Sequence, residues 1–508
     1  MAVFSRYLAR WLGKRRGICS WGWSRTGLDW TGLAALRTLG MTFDPILAEK
    51  RFGYGLSPRP ELAPPHSVAE MLARLRSADR MLVTFPVDGF DRVQQRAATA
   101  QKIQRQIRQA RSAAQKAAAD KRLKTLFKAG RQSERAWLWS VMMRRVWTRD
   151  AFRERLVAFW GDHFTARGKN GAVKRAAAAY VDTAIRPYLL GRFEDLLIAA
   201  VTHPLMLHYL DQIQSTGPNS LKARRKNGQL GLNENLAREV LELHTLGVDG
   251  IYSQRDVRQL AELLTGLTAT PQKGRVFRAE LAEPGAEEVL GQLYGGGRAR
   301  LGDIHAVLKD LARHPATARH IAQKLAVHFI SDTPPTDLIT ALERAYLDSK
   351  GNLPTLYEVL LNHPAAMDPV LHNIRLPDEF MAAAMRALAV SPDRYYQLKR
   401  GRPRDQFIVQ LFQRPMEIMG QPWLSPLGPD GWEEGDANWL TPQGLTSRLH
   451  WALKAPERLT DALPDPRVLV TEALGTEAPP AVGFAASAAE DRREGVALVL
   501  ASPAFQRK

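Results

Sequence analysis

The sequence of 508 residues contains a single cysteine, Cys19. A disulfide within the chain and a cysteine-based metal site are therefore both excluded. The sequence has no apolar run of about 18 residues, so no segment is predicted to span a membrane. It also lacks a phosphate-binding loop, a serine nucleophile elbow, a His-Glu-x-x-His motif and a dinucleotide-binding fingerprint. Function must therefore be sought in less familiar patterns.

The first 40 residues lack the features of a secretory signal peptide. Arg15-Arg16 is a twin arginine, but small and polar residues from Gly17 to Arg25 interrupt any apolar region after it. We therefore recognise no signal peptide and expect a cytoplasmic location by default. We predict that residues 1–40 are a poorly ordered basic leader, of the kind that an upstream start codon would add. The folded domain is predicted to comprise residues 41–508.

The net charge of +19 suggests an anionic partner until its distribution is considered. Residues 1–40 carry seven lysines and arginines against one acidic residue, and residues 91–149 carry sixteen against three. These two segments hold the whole positive excess, and the rest of the chain is neutral on balance. We therefore do not expect nucleic acid to be the partner of the protein as a whole.

Residues 91–131 are polar, alanine-rich and strongly basic, which predicts one long helical arm. One interpretation is a solvated arm or a helical hairpin with no binding role. The alternative is a surface for phosphate groups, an anionic membrane or an acidic partner protein. The segment has no interleaved aromatic residues, so single-stranded nucleic acid is not indicated.

Apolar residues recur with a helical period over most of the chain, and alternating strand patterns are few. We predict a mostly α multi-helix globular domain with irregular insertions rich in glycine and proline and with little strand. Residues 269–300 are predicted to be a β-like or irregular insertion. Residues 420–443 are a loop rich in tryptophan, proline and glycine. This loop grips a sugar or a partner peptide if it is exposed, and covers the helical core if it is buried.

Four apolar helices end at a polar residue followed by proline. Proline at the first position of the next helix disfavours helical geometry in the residue before it, so these pairs predict tight corners between helices. The histidines at such corners are either structural caps or, if the corners converge on one side, parts of a common site. Serine in the same position favours capping, because serine is a poor replacement for a metal ligand. The four pairs are His203-Pro204, His314-Pro315, His363-Pro364 and Ser502-Pro503.

The most informative stretch is residues 232–246, which we predict to be one straight helix. At about 100° per residue, a stripe of roughly 100° contains Asn235, Arg238, Glu239 and Glu242. His244 lies instead among the apolar residues, so a metal shell built from His244 and the two glutamates is geometrically poor. The stripe is either a solvated face or a buried polar face. In the second case, the two carboxylates could bind a metal or separate their pKa values for acid–base chemistry.

His163 continues an apolar stripe that includes Phe152, Leu156 and Phe159. Its position predicts either a histidine packed in the core or a ligand or base that faces a pocket. Farther along, Gly247 is predicted to end the helix of residues 232–246. Ser253 and Asp256 are predicted to form a capping box for the next helix.

Several stretches together resemble a bacterial family catalogued as domain of unknown function 1800. The clearest is Asn233–Leu267, which reads NENLAREVLELHTLGVDGIYSQRDVRQLAELLTGL. The resemblance covers roughly residues 41–508 and agrees in order along the chain. Its other elements are Phe159–Thr165, similar to the family's Phe-Trp-x-x-His-Phe element, His203–Asp211, Ala312–Arg319 and Ser502–Gln506.

The chain departs from the family pattern at two histidines. Family members often carry a histidine at the position of Gly161, and often read His-Glu-Pro-Gly where this chain has Ala282–Gly285. These departures weigh against a multi-histidine metal site. The resemblance also implies a pathway shared with a sulfatase-like family, whose genes often lie nearby, and such a protein is a candidate partner.

Two hypotheses follow from the sequence. The first is an enzyme with a carboxylate-lined cleft, which a divalent metal could occupy. The alternative is a non-catalytic scaffold that binds a partner through the basic helix and the tryptophan-rich loop. A buried, concave stripe favours the enzyme, and a stripe open to water favours the scaffold. The catalytic residues predicted for the enzyme are Glu239, Glu242, His163, Arg238 and Asn235.

Overall fold

Helices account for most of the computed structural model, which describes residues 42–226 and 230–508. The prediction of a mostly α fold is therefore confirmed. The predicted leader, residues 1–40, lies outside the described residues. Residues Phe43–Lys508 form one compact unit. No helix in the described part of the chain combines the length and the apolar character needed to cross a bilayer.

The helices are mostly short, because proline opens many of them and a side-chain cap often precedes the first turn. The α-helices are Pro45–Phe52, Val68–Arg76, Arg80–Thr84, Phe90–Gln109, Ala113–Trp147, Ala151–His163, Ala177–Tyr180, Phe193–Val201, Pro204–Tyr209, Leu221–Arg225, Asn235–Glu239, Gln254–Leu263, Leu301–Arg313, Pro315–Phe329, Thr336–Ser349, Leu353–Asn362, Pro377–Ala387, Asp393–Tyr396, Arg402–Ile408, Arg414–Ile418, Pro442–Lys454, Pro456–Leu459, Pro466–Leu474, Pro480–Ser487, Arg492–Ala501 and Pro503–Gln506. Wider π-helical turns occupy Val181–Ile185, Val240–Thr245 and Val409–Gln413.

The strands of the described fold lie between residues 267 and 295, which largely overlaps the insertion predicted at residues 269–300. The first hairpin pairs β1 (Leu267–Thr270) with β2 (Gly274–Phe277), and the second pairs β3 (Ala286–Val289) with β4 (Gln292–Gly295). Both pairs are antiparallel and two-stranded. The prediction of a β-like interruption is therefore confirmed.

The basic segment is not one helix, and the prediction of a single arm over residues 91–131 is wrong. Helix Phe90–Gln109 ends, and helix Ala113–Trp147 begins after Ser112, whose hydroxyl caps the new helix. The two helices pack against each other as a hairpin, with Arg96 donating a hydrogen bond to the Ser133 hydroxyl at 3.1 Å. The hairpin was one of the alternatives, and it lets the weakly apolar seam of each helix cover the other.

The four polar-proline corners are helix caps. The Nδ1 atoms of His203, His314 and His363 each accept a hydrogen bond from the backbone N–H two residues later, at 3.1 to 3.2 Å. Ser502 accepts one from the N–H of Phe505 at 3.3 Å. Each side chain thus satisfies a backbone donor that the first turn leaves free. The capping interpretation therefore holds at all four corners.

The helix Ala151–His163, called the central helix below, lies where two apolar cores meet. Phe152 and Trp160 belong to the first core, which also contains Tyr357 and most of the helices before residue 366. Ala151 belongs to the second core, which surrounds the helix Pro377–Ala387 and the end of helix Ala113–Trp147. Because the central helix is covered on nearly every side, its charged residues are buried and need partners.

Candidate functional site

The charged residues of the central helix form buried ion pairs. Glu154 receives two hydrogen bonds from Arg186. Arg155 pairs with Glu379, whose other oxygen accepts a hydrogen bond from Lys508 at 2.5 Å. All of these side chains are almost completely shielded from solvent. Such an arrangement is costly to desolvate and strongly destabilising to break, so it holds the helix in one position.

A cavity of about 120 Å³ lies beside this network and is called the central cavity. The central helix lines one wall, from Glu154 to His163, and Lys324 and His328 line another. Leu376–Glu379 and the loop of residues 420–443 complete it. The volume holds a few water molecules or the reactive part of a small substrate. Elements of both apolar cores therefore enclose one space, whose lining includes both charged and apolar side chains.

Asp162, near the end of the central helix, is half-buried in the wall of this cavity. Its Oδ1 atom accepts a hydrogen bond from the backbone N–H of Trp432 at 3.0 Å. The pKa of Asp162 is raised to about 7, mainly by burial and also by the nearby carboxylate of Glu434, although the Trp432 N–H and Lys324 lower it. The group therefore exchanges a proton near neutral pH.

Lys324 provides the cation at this end of the cavity. Its ammonium lies 2.5 Å from a carboxylate oxygen of Glu434, and its side chain is 20% exposed. Glu433 and Glu434 themselves are exposed. The Lys324–Glu434 pair therefore marks the side on which the cavity approaches solvent, and Asp162 lies behind it.

The loop of residues 420–443, called the tryptophan loop, covers the cavity. Trp439 is buried and donates a hydrogen bond to the Glu433 carbonyl at 2.9 Å, while Trp423 and Trp432 are half-buried. Of the two alternatives drawn from the sequence, the structure favours the covering loop. The tryptophans are consequently not displayed for gripping a sugar or a peptide.

Gly431 allows the tryptophan loop to approach Asp162 closely. Its φ of +85° suits glycine, and a Cβ atom built there would lie 2.7 to 2.9 Å from the carboxylate atoms of Asp162. The absence of a side chain thus permits the Trp432 N–H to reach the carboxylate. At this position, glycine is needed for both the backbone conformation and the available space.

We expect Gly431→Ala to loosen the tryptophan loop and lower the free energy of unfolding by about 1–3 kcal/mol, from backbone strain and the clash with Asp162. Glutamyl endopeptidase should then cleave after Glu433 or Glu434 faster than in the wild type. Gly420→Ala is the matched control, because Gly420 has φ +92° and nothing within 4 Å of the added Cβ. Equal cleavage of the two variants would contradict the contact with Asp162.

His163, predicted from the sequence, does line the central cavity, but one of its nitrogens is already used. Its Nε2 atom donates to the backbone carbonyl of His244 at 3.3 Å, and His320 donates to the carbonyl of Leu243 at 3.1 Å. These contacts cap carbonyls at the end of the helix Asn235–Thr245. Burial holds the pKa of His163 well below its usual value, so the ring is neutral. Its Nδ1 atom is buried and has no hydrogen-bond partner among the described residues.

The clustered histidines do not offer the Nε2 atoms of His163 and His320 to a metal ion. The rings of His163, His244 and His320 lie close together, with centroids of the first 6.2 Å and 6.1 Å from the other two. Because a carbonyl oxygen only accepts, the Nε2 atoms of His163 and His320 carry hydrogens and cannot bind a cation. Within residues 42–226 and 230–508, no group of three or more histidine, cysteine or acidic side chains is placed to hold a metal.

The helix predicted as straight over residues 232–246 is divided, and that prediction is wrong from Val240 onward. An α-helix covers Asn235–Glu239, and a π-helical turn covers Val240–Thr245. The Thr245 hydroxyl donates to the Val240 carbonyl at 2.6 Å, which satisfies an acceptor that the wider turn leaves open. His244 lies fully buried on the apolar side, as predicted.

The polar stripe of this helix lies outside the central cavity. Asn235 is exposed, and Arg238 pairs with Glu242 at 3.2 Å with both side chains partly exposed. Glu239 is half-buried, and burial raises its pKa to about 7, helped by Glu242 and by Asp430 of the tryptophan loop. The predicted catalytic role of these four residues stays a prediction. His163 alone of the predicted set reaches the central cavity.

Sequence reasoning passed over Asp162 and Lys324. A signal for Asp162 was present, because it lies among the aromatic residues of Phe159–Phe164. Burying an acidic residue there is costly unless it is paired or hydrogen-bonded, so its presence was worth explaining. Lys324 has no comparable signal, since lysines at helix positions are usually solvated. Its position becomes informative only beside Glu434, 110 residues later in the chain.

The fold and the site define a helical protein that encloses a charged cavity beneath a loop. Residues 48–507 match the family described as Protein of unknown function (DUF1800). Because the match covers nearly the whole chain, the protein belongs to that family. The resemblance stated from the sequence is thus confirmed. Neither the curated proteins nor the solved structures contain a significant match to this chain.

Proposed function

We propose that this protein is an enzyme that carries out general acid–base chemistry in the central cavity, with Asp162 as the group that gives and takes the proton. One observation carries the proposal. The carboxyl group of Asp162 lies in the wall of the central cavity with its pKa raised to about 7. A general acid or base works best when its pKa lies near the working pH. Perturbed carboxyl groups in enclosed cavities are typical of catalytic sites.

Asp162 differs from the neighbouring acidic groups in its partners. Asp182, Asp378 and Glu379 each accept a short contact from an arginine. Asp162 forms no ion pair among the described residues, and its one hydrogen bond from Trp432 leaves Oδ2 open to a ligand. The paired carboxylates hold the walls together, whereas Asp162 is free to bind and release a proton.

The surrounding groups suit proton transfer to or from a bound molecule. The neutral Asp162 carboxyl can protonate a leaving group, and its ionised form can take a proton from a hydroxyl group or water. Lys324 supplies a positive charge that would stabilise negative charge on the substrate. The Nδ1 lone pair of His163 offers an acceptor that positions a donor of the substrate. His163 thus keeps a role in the proposal, as a positioning residue.

The scaffold hypothesis has less support. It depended on the tryptophan loop as a binding surface, and that loop covers the cavity with Trp439 buried. The exposed helical hairpin remains available to an acidic partner. A sulfatase-like protein of the same pathway also remains a predicted partner, and nucleic acid remains an unexpected one. A divalent metal is not part of the proposal, because carbonyls occupy the Nε2 atoms of His163 and His320 and the described residues place no three suitable side chains together.

The proton affinity of Asp162 tests the proposal directly. The amide of Trp432 donates to Asp162, so its NMR signal should shift as the carboxyl group ionises. In protein selectively labelled with ¹⁵N-tryptophan, we expect this signal to titrate with a midpoint near pH 7. A Trp432→Phe variant assigns the signal by its disappearance.

Two variants show whether the shift of the Trp432 signal reports the ionisation of Asp162. Asp162→Asn should abolish the shift, whereas Asp348→Asn, which changes an exposed carboxylate elsewhere, should leave it intact. A midpoint below about pH 5 would overturn the proposal, because a fully ionised carboxylate could not donate a proton at neutral pH.

A further inference from the structure

A second, strongly basic cavity adjoins the first. It has a volume of about 450 Å³ and is called the basic cavity. The loop after the central helix lines it, together with the tryptophan loop. The lining residues with chemical function are Arg167, Lys169, Lys174, Arg175, Glu134 and Tyr209. Four cations thus face a single carboxylate.

The internal ion pairs leave two of these cations without an acidic partner. Arg175 lies 2.9 Å from Glu134, which neutralises it. Lys169 lies 2.5 Å from Asp211, outside the cavity lining. Lys174 is exposed and forms no ion pair within the described part of the chain. Arg167 donates only to neutral oxygens, including the Leu427 carbonyl at 2.9 Å.

We propose that the basic cavity binds the doubly charged phosphate group of a small phosphate monoester. The two uncompensated charges of Arg167 and Lys174 match a dianion, and arginine and lysine both bind such groups through charge-assisted hydrogen bonds. The cavity is larger than the anion alone requires. The ring of Tyr209, 5.9 Å below the Arg167 guanidinium, and the half-buried Trp423 give the rest of the ligand an apolar surface.

The position of the basic cavity connects it to the proposed enzyme. It shares the wall residues Ala177, Ala178 and Leu424 with the central cavity. An ester anchored in the basic cavity would therefore direct its remaining part towards Asp162. Anion binding itself rests only on the basic cavity, and the anchoring of a substrate rests also on the proposed function.

The inference is tested with inorganic phosphate and inorganic sulfate as probes. Titration calorimetry at pH 8, with ionic strength held constant by sodium chloride, separates specific binding from screening. We expect phosphate, which is mostly doubly charged at pH 8, to bind to the wild type above the chloride background, and sulfate is the comparison anion. Because Lys174 is exposed, Lys174→Gln should fold normally. It should weaken binding about tenfold, the usual effect of losing one charge-assisted hydrogen bond.

Lys124→Gln provides the matched control, because it removes the same charge from the exposed face of the hairpin. Its anion binding should equal that of the wild type. Equal weakening by the two variants, or no binding of either anion above chloride, would overturn the inference. Asp162→Asn should still bind the anion, so failure of the acid–base proposal would leave this result unchanged. Binding of sulfate without binding of phosphate would also overturn the inference.

Discussion

Asp162→Asn is expected to make the protein more stable at neutral pH and to remove its acid–base activity. In the folded protein the pKa of Asp162 is about 7, raised mainly by burial, against an ordinary value of 3.8. The folded state therefore holds this proton more tightly than the unfolded state does. Stability is consequently lost as the pH rises from about 4 to about 7, and the loss is constant above that range.

The asparagine variant has no carboxyl group and avoids that loss. A shift of about three pKa units corresponds to about 4 kcal/mol, and the partial exposure of the side chain reduces the expected gain to about 2 kcal/mol. The Oδ1 atom of asparagine can still accept the Trp432 hydrogen bond. Urea unfolding at several pH values should show a difference from the wild type that grows between pH 4 and pH 7.

The same variant should lose turnover on whichever small ester the enzyme accepts. Removing a general acid or base commonly reduces the rate by about 10²–10⁴-fold. Asp348→Asn is the control, because it removes an exposed carboxylate that is 73% accessible. The stability difference between Asp162→Asn and the wild type could instead be independent of pH, or the variant could be the less stable protein at pH 8. Either result would show that Asp162 is ionised over the whole range from pH 4 to pH 8.

Glu379→Gln is expected to lower the free energy of unfolding by about 3–5 kcal/mol, the usual cost of leaving a buried charge without its partner. Glu379 pairs with Arg155 and with Lys508, and all three side chains are at least 95% shielded from solvent. Glutamine keeps the shape but removes the negative charge that both cations require. Burial holds the pKa of Lys508 well below its usual value, because an ammonium group is costly to bury.

A surface pair provides the comparison for this substitution. Asp348 lies 3.6 Å from Arg344, and both side chains are mostly exposed. Asp348→Asn should change stability by no more than about 0.5 kcal/mol, because exposed ion pairs contribute little. Chemical denaturation of both variants gives the two values. Equal changes in the unfolding free energy of the two variants would contradict the prediction, because they would show that Glu379 is as well hydrated as an exposed carboxylate.

Features with a local cause were predicted correctly. The capping box of Ser253 and Asp256 is present, and Gly247 ends its helix with φ +92°. The histidine-proline corners were also predicted, because each cap acts on a backbone N–H two residues away. The break in the basic hairpin was missed, although Ser112 is a serviceable cap. The alanine-rich sequence on both sides of Ser112 has a high helix propensity. That propensity favoured one continuous helix, although Ser112 can cap the start of a second one.

The candidate site could be predicted only in part. His163 reaches the cavity, and the stripe of Glu239 and Glu242 is half-buried rather than enclosed. The π-helical turn also escaped prediction, and the carbonyls at its end accept hydrogen bonds from His163 and His320. Those histidines belong to other helices.

The sequence alone determined that the chain is helical, where many of its helices begin and end, and to which family it belongs. These properties depend on the spacing of apolar residues and on contacts within a few residues. The tertiary structure decided the identity of the candidate acid. The pKa of Asp162 follows from its removal from water by the tryptophan loop and from the charges of Lys324 and Glu434. Those groups lie far from Asp162 along the chain, and only folding places them around one carboxyl group.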